Sequence, residues 1–193
     1  CEEAARLLLS ETERITLRGT VSAAPPQQTV ELLLFRQKLL DAAQDRTRSL
    51  GARMRKILAL SGAALPRRST ADWAAFFSAL EPLEPSSPET LSRLRSEVDF
   101  SHFHAVSAAW ETEYEQLLVY FLLRHLLADE GRETAARAAF AVLSTAMLYA
   151  LGAAVRTQTG SLSFADRVEL ARLWSANVEY SEENLRAVFD ELT

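Results

Sequence analysis

The sequence predicts an all-α protein, one bundle of about seven to nine helices around a central apolar helix near residues 133–157. Three observations carry that prediction. Apolar residues recur three and four apart along most of the chain, and no stretch alternates apolar and polar as a half-buried strand does. Ala, Leu, Glu and Arg dominate, and all four are good helix formers. Gly and Pro number 6 each, few enough to leave long helices uninterrupted.

The elements follow in order. Residues 1–17 read as a first helix, with Ala5, Leu8, Leu9, Thr12 and Ile15 on one side. Pro25-Pro26 mark a loop. A second helix starts at Gln28 or Thr29 and runs to about Arg46, with Val30, Leu33, Leu34 and Leu40 as its core stripe. Ser49 caps a helix from Leu50 to Leu60, with Leu50, Met54, Ile57 and Leu58 inward. Thr70 caps a short helix holding Trp73, Phe76, Phe77 and Leu80. The run from Pro82 to Pro88 is the clearest linker and the one place where the single domain over residues 1–193 has a possible sub-division. Ser87 with Pro88 signals the next helix, which runs to about Val98.

A longer helix, straight or kinked, opens at Ser101 or His102 and reaches Ala128. The apolar helix follows. Residues 138–155 carry no charged side chain, near the minimum length of a membrane span. The stretch is rich in Ala and bracketed by Arg137 and Arg156, which suits the core helix of a soluble bundle better. Gly160 ends it. Ser163 with Asp166 forms a capping-box start for the next helix, and Ser181 caps the last.

At 193 residues the chain can bury a core without disulfides or metal. Cys1 is the only cysteine, so no intramolecular disulfide forms. The chain starts at that cysteine and not at Met, which reads as a fragment or a processed product; a lipoprotein is disfavoured because helix follows at once. Net charge is −5, giving no global reason to bind nucleic acid. Its distribution is uneven. Residues 36–68 hold nine basic and two acidic side chains, and residues 69–131 hold three basic and eleven acidic ones. The two stretches are expected to neutralise each other in the fold. The basic side chains are spread around their helix without aromatic partners, against a nucleic-acid face.

No glycine-rich phosphate loop, G-x-S-x-G or H-E-x-x-H is present. His102, His104 and His125 are expected in capping or surface roles. Glu113, Gln116, Tyr120 and Arg124 fall three or four apart and share one helix face beside an apolar one. Glu113, Tyr120 and Arg124 are the candidate catalytic residues. A satisfied structural network is the competing reading. Glu115 and Gln116, with Glu179, Tyr180 and Asn184 from a second polar group, are the candidate substrate-binding residues. Capping by Ser181 accounts for much of that second group, but not for Glu179 and Tyr180.

Three segments carry a resemblance. Cys1-Glu2-Glu3-Ala4-Ala5-Arg6-Leu7 resembles a C-P-E-A-A-R-L segment, with Glu2 in place of Pro. Tyr114 to Phe121 resembles an aromatic-flanked E-N-x-x-V-Y segment, with Gln116 at the Asn position. Val168 to Leu173 followed by Glu179 to Leu185 resembles a C-terminal end. All three are similar to the flagellin lysine-N-methylases. The resemblance implies that this is the C-terminal helical part of a cytoplasmic protein-lysine N-methyltransferase. It implies methyl transfer from S-adenosylmethionine to lysines of a flagellin-like protein. It also implies an iron–sulfur cluster in the full-length protein, with Cys1 a possible ligand beside cysteines that are not in this chain. One thiolate cannot hold such a cluster, so no cofactor is expected in this chain alone. The alternative is a non-enzymatic ligand-binding or dimerisation module of a regulator. Ala146, Ala150 and Ala153 form a small-residue stripe that could serve a homodimer.

Overall fold

The computed structural model describes residues 27–95, 107–127 and 133–193. The expected first helix, Cys1, His102 and His104 lie outside the described residues. Contacts divide the chain into Cys1–Leu34 and Phe35–Thr193, and the core lies in the second unit. Eight α-helices and no strand occur among the described residues: α1 (Gln27–Gln44), α2 (Leu50–Ser61), α3 (Thr70–Ala79), α4 (Ser87–Ser92), α5 (Glu111–Leu127), α6 (Thr134–Thr159), α7 (Phe164–Trp174) and α8 (Glu182–Leu192).

Helix α6 is the centre, as its composition predicts. It packs most extensively on α5 and also meets α2, α7 and α8. It is long and apolar enough to cross a membrane, yet 83% of its apolar window is buried within the protein. Small side chains make this possible. Ala138, Ala139, Ala141, Ala150, Ala153 and Ala154 are all buried and let neighbouring helices come close, while Phe140, Leu143, Met147 and Leu151 fill the space between. Gly160 ends the helix in the left-handed conformation, φ 78°, where a side chain would be strained.

The caps explain most other boundaries. Ser49 opens α2, Ser163 with Asp166 opens α7 and Ser181 opens α8, as the sequence indicates. Helix α3 differs by one residue. Ser69, not Thr70, is its cap, because Asp72 stands where it can complete a capping box with Ser69. Helix α4 also begins one residue early. Ser86 takes the cap position, and the buried Ser87 hydroxyl instead accepts a hydrogen bond from Asn177. Helix α1 shows the clearest departure. Val30, Leu33 and Leu34, expected in the core, are exposed, and the buried face runs through Leu39, Ala42 and Ala43 in the half that belongs to the compact unit.

The uneven charges meet as expected. Arg53 of α2 is buried and pairs with Glu111 and Glu115 of α5, and Arg46 pairs with Glu115 as well. Arg172 of α7 reaches Glu84 in the 82–88 segment.

Candidate functional site

After Trp174 the chain does not leave the helix but widens into a π-turn, Ser175–Glu179, closed by a hydrogen bond from Tyr180 N to Ser175 O at 3.0 Å. Such insertions re-aim side chains and are common at functional sites. Here the π-turn points Glu179 inward and leaves Tyr180 on the surface. The Glu179 side chain is wholly buried. It accepts hydrogen bonds from Ser175 Oγ at 2.5 Å and His125 Nε2 at 3.0 Å, and Arg124 Nε lies 3.2 Å away as an ion-pair partner.

Helix α5 supplies the opposite side. Tyr120 and Arg124 are one turn apart, so both face the π-turn. The Arg124 guanidinium lies 5.1 Å from the centre of the Tyr180 ring. Arg124 is 40% exposed, Tyr120 38% and Tyr180 64%, so an open surface of two aromatic rings and a guanidinium covers a buried carboxylate. Burial raises the Tyr120 phenol above its ordinary pKa, and the Glu179 charge raises it further. Exposed Glu182 and Glu183 follow at the start of α8.

Four of the candidate residues therefore come together: Tyr120, Arg124, Glu179 and Tyr180. The others sit elsewhere. Glu113 forms a two-pronged pair with Arg167, 2.6 and 2.9 Å, tying α5 to α7. Glu115 is buried against Arg46 and Arg53. Gln116 is exposed. Asn184 is buried and bonds the carbonyls of Glu81 and Asn177 and the amide of Glu81. His125 corrects an expectation. It is buried between Glu179 and the Phe140 ring, 4.5 Å between centroids, and not on the surface. Ser175 was not anticipated either; its one sequence signal is its place four residues before Glu179.

A small apolar cavity lies on another side, lined by Phe77, Leu91, Leu151, Leu173 and Trp174 among others.

The model of the FliB lysine N-methylase C-terminal domain family matches residues 68–193. The chain belongs to this family. The matched stretch takes in α3 to α8 and every residue of the Tyr120–Tyr180 cluster. The resemblance to this family is thereby borne out for the C-terminal part, while the Cys1–Leu7 segment lies outside the matched residues. No curated protein and no solved structure matches the chain.

The residues of this chain do not fit an iron–sulfur cluster. Cys1 is its sole cysteine, and among the described residues no group of His, Cys, Asp and Glu is arranged to hold a metal.

Proposed function

We propose that this chain is the helical domain through which a cytoplasmic FliB-type methylase engages its protein substrate, a flagellin-like protein whose lysines receive methyl groups from S-adenosylmethionine. Membership of the family over residues 68–193 carries the reading. The cluster of Tyr120, Arg124, Glu179 and Tyr180 adds a physical reason. It is an exposed aromatic and charged patch on rigid elements, the kind of surface that anchors a protein partner.

Glu113 and Glu115 do not enter this reading, because both carboxylates are committed to arginines. The Ala146, Ala150 and Ala153 stripe gives little support to a dimerisation module, since Ala150 and Ala153 are buried in the chain's own core.

The test is lysine methylation by the full-length protein, followed by mass spectrometry of flagellin incubated with S-adenosylmethionine. Methylated lysines are expected, with a lower kcat/KM in the Tyr120→Ala, Tyr180→Ala double variant. An inactive wild-type protein, or a double variant with unchanged kcat/KM, would overturn the reading.

A further inference from the structure

The position of Arg124 is informative beyond its place in the cluster. Glu179 is well satisfied without it, by Ser175 Oγ and His125 Nε2. Arg124 contributes an ion pair at 3.2 Å through Nε, and among the described residues no acceptor other than Glu179 meets its guanidinium. Its remaining contact is the Tyr180 face. The exposed Arg124 side chain can swing into water, but the buried Glu179 carboxylate then lacks its cation, so the move is favoured only when another cation takes the place of Arg124. What it covers is a buried carboxylate and one tyrosine face beside the Tyr120 phenol, and the exposed acids Glu182 and Glu183 follow Tyr180 in the sequence. Those groups together favour a cation. A long flexible alkylammonium is the side chain that reaches such a place, its stem along the rings and its charge at the carboxylate.

We infer that Tyr120, Glu179 and Tyr180 form a seat for a charged lysine of the protein substrate, and that Arg124 is an internal stand-in which the incoming lysine displaces. The inference rests on the substrate-engaging reading above. The seat recognises a lysine and does not methylate it. A carboxylate stabilises the ammonium form, whereas methyl acceptance needs the neutral amine. The lysine held here is therefore a neighbour of the one that reacts, or the same lysine before its transfer to the reaction centre. Arg124 acts as a specificity-determining residue that tunes how tightly lysine is held.

The experiment uses the full-length protein and two synthetic peptides, one bearing lysines and one with glutamine in their place, in direct binding titrations. Arg124→Gln should tighten binding of the lysine peptide by about two- to fivefold, the worth of one exposed cation–ring contact. Arg124→Lys should return it to the wild-type value, because the stand-in cation is restored. Tyr180→Ala should weaken it, and the glutamine peptide should respond to none of these changes. In methylation assays the Arg124→Gln effect should fall on KM and not on kcat. Thermal melting of each variant identifies loss through misfolding. Lysine-peptide binding that is unchanged or weaker in a folded Arg124→Gln protein overturns the inference. Binding that follows the expected pattern in a protein that methylates no lysine upholds the seat while overturning the catalytic reading.

Discussion

Arg53 Nη1 and Glu115 Oε2 lie 2.6 Å apart with both side chains buried, Arg53 at 1% exposure. The same guanidinium donates to the Ala43 carbonyl at 3.0 Å and to Glu111 Oε1 at 2.6 Å. One side chain of α2 thus fastens the end of α1 and the start of α5. Breaking a buried pair from one side leaves the other charge stranded, at about 3–5 kcal/mol. Arg53→Met is therefore expected to lower unfolding stability by that order, measured by denaturant titration. The double variant with Glu115→Leu should recover a substantial part of the loss, since no lone charge then remains.

Acid should weaken the same junction. Burial raises the Glu115 pKa, but hydrogen bonds and charge from Arg46 and Arg53 outweigh it, so the carboxyl sits below its ordinary value. The exposed caps Asp72 and Asp166 are lowered too, by hydrogen bonds from Ser69 and Ser163. A carboxyl whose folded pKa is depressed stabilises the fold above its unfolded pKa. That stability is lost as pH falls through the folded value. Stability should thus hold near neutrality and decline below about pH 4, the ordinary carboxylate range. Melting temperatures across an acid series check this, and Glu115→Gln should flatten the slope.

The sequence made α6 and the caps of α2, α7 and α8 readable because those signals are local. An apolar run, a glycine at the end, and a Ser just before a helical pattern, joined at α7 by an Asp three residues later, need no knowledge of the rest of the chain. Arg53 was not readable as a core residue. It stands among other basic residues, and only the approach of α5 decides which of them is buried. The shared face of Tyr120 and Arg124 is visible from spacing, and Glu179 and Tyr180 stand out because capping by Ser181 does not account for them. Their meeting is not visible, because it depends on the π-turn, which has no propensity signature. His125 looked like one surface histidine among three for the same reason.

Two side chains from the far end of the chain hold residues 81–84. Asn177 Oδ1 accepts from Leu83 N and Glu84 N at 2.8 and 3.1 Å, and Asn184 brackets Glu81. Asn177→Ala removes the shared acceptor of two part-buried amides, costing about 0.5–1.5 kcal/mol for each lost hydrogen bond. Faster amide exchange at Leu83 and Glu84 is expected, with α6 amides unaffected while the fold holds. Uniform acceleration across the protein would instead mean global unfolding.

Glu113 and Arg167 form an ion pair that is also a packing device. The Arg167 guanidinium lies 4.6 Å from the centre of the Trp110 ring, and its Nη1 donates to the Leu162 carbonyl. Glu113→Gln should cost about 1 kcal/mol, as one charged partner becomes neutral but stays in place. Arg167→Met should cost more, because the ring contact and the carbonyl bond go with the charge. Equal losses in thermal unfolding for the two variants would show that the ion pair alone matters.

Tyr120 reports the electrostatics of the cluster directly. Its phenol is raised by burial and by the Glu179 charge, while Arg124 pulls it down. Two substitutions should therefore move it in opposite directions. Glu179→Gln removes a negative neighbour and lowers the Tyr120 pKa; Arg124→Gln removes a positive one and raises it. Carbon-13 labelling of tyrosine, with Tyr120 assigned from the Tyr120→Phe spectrum, follows each titration. Tyr114 and Tyr149 are also raised chiefly by burial. An acid whose folded pKa is raised stabilises the fold below its unfolded pKa, and that stability is lost as pH rises past it. The protein should therefore lose stability in alkali above about pH 10, the ordinary phenol range. Movement of Tyr120 in the same direction in both variants would mean that the π-turn had rearranged, and with it the geometry that seats Arg124 over Tyr180.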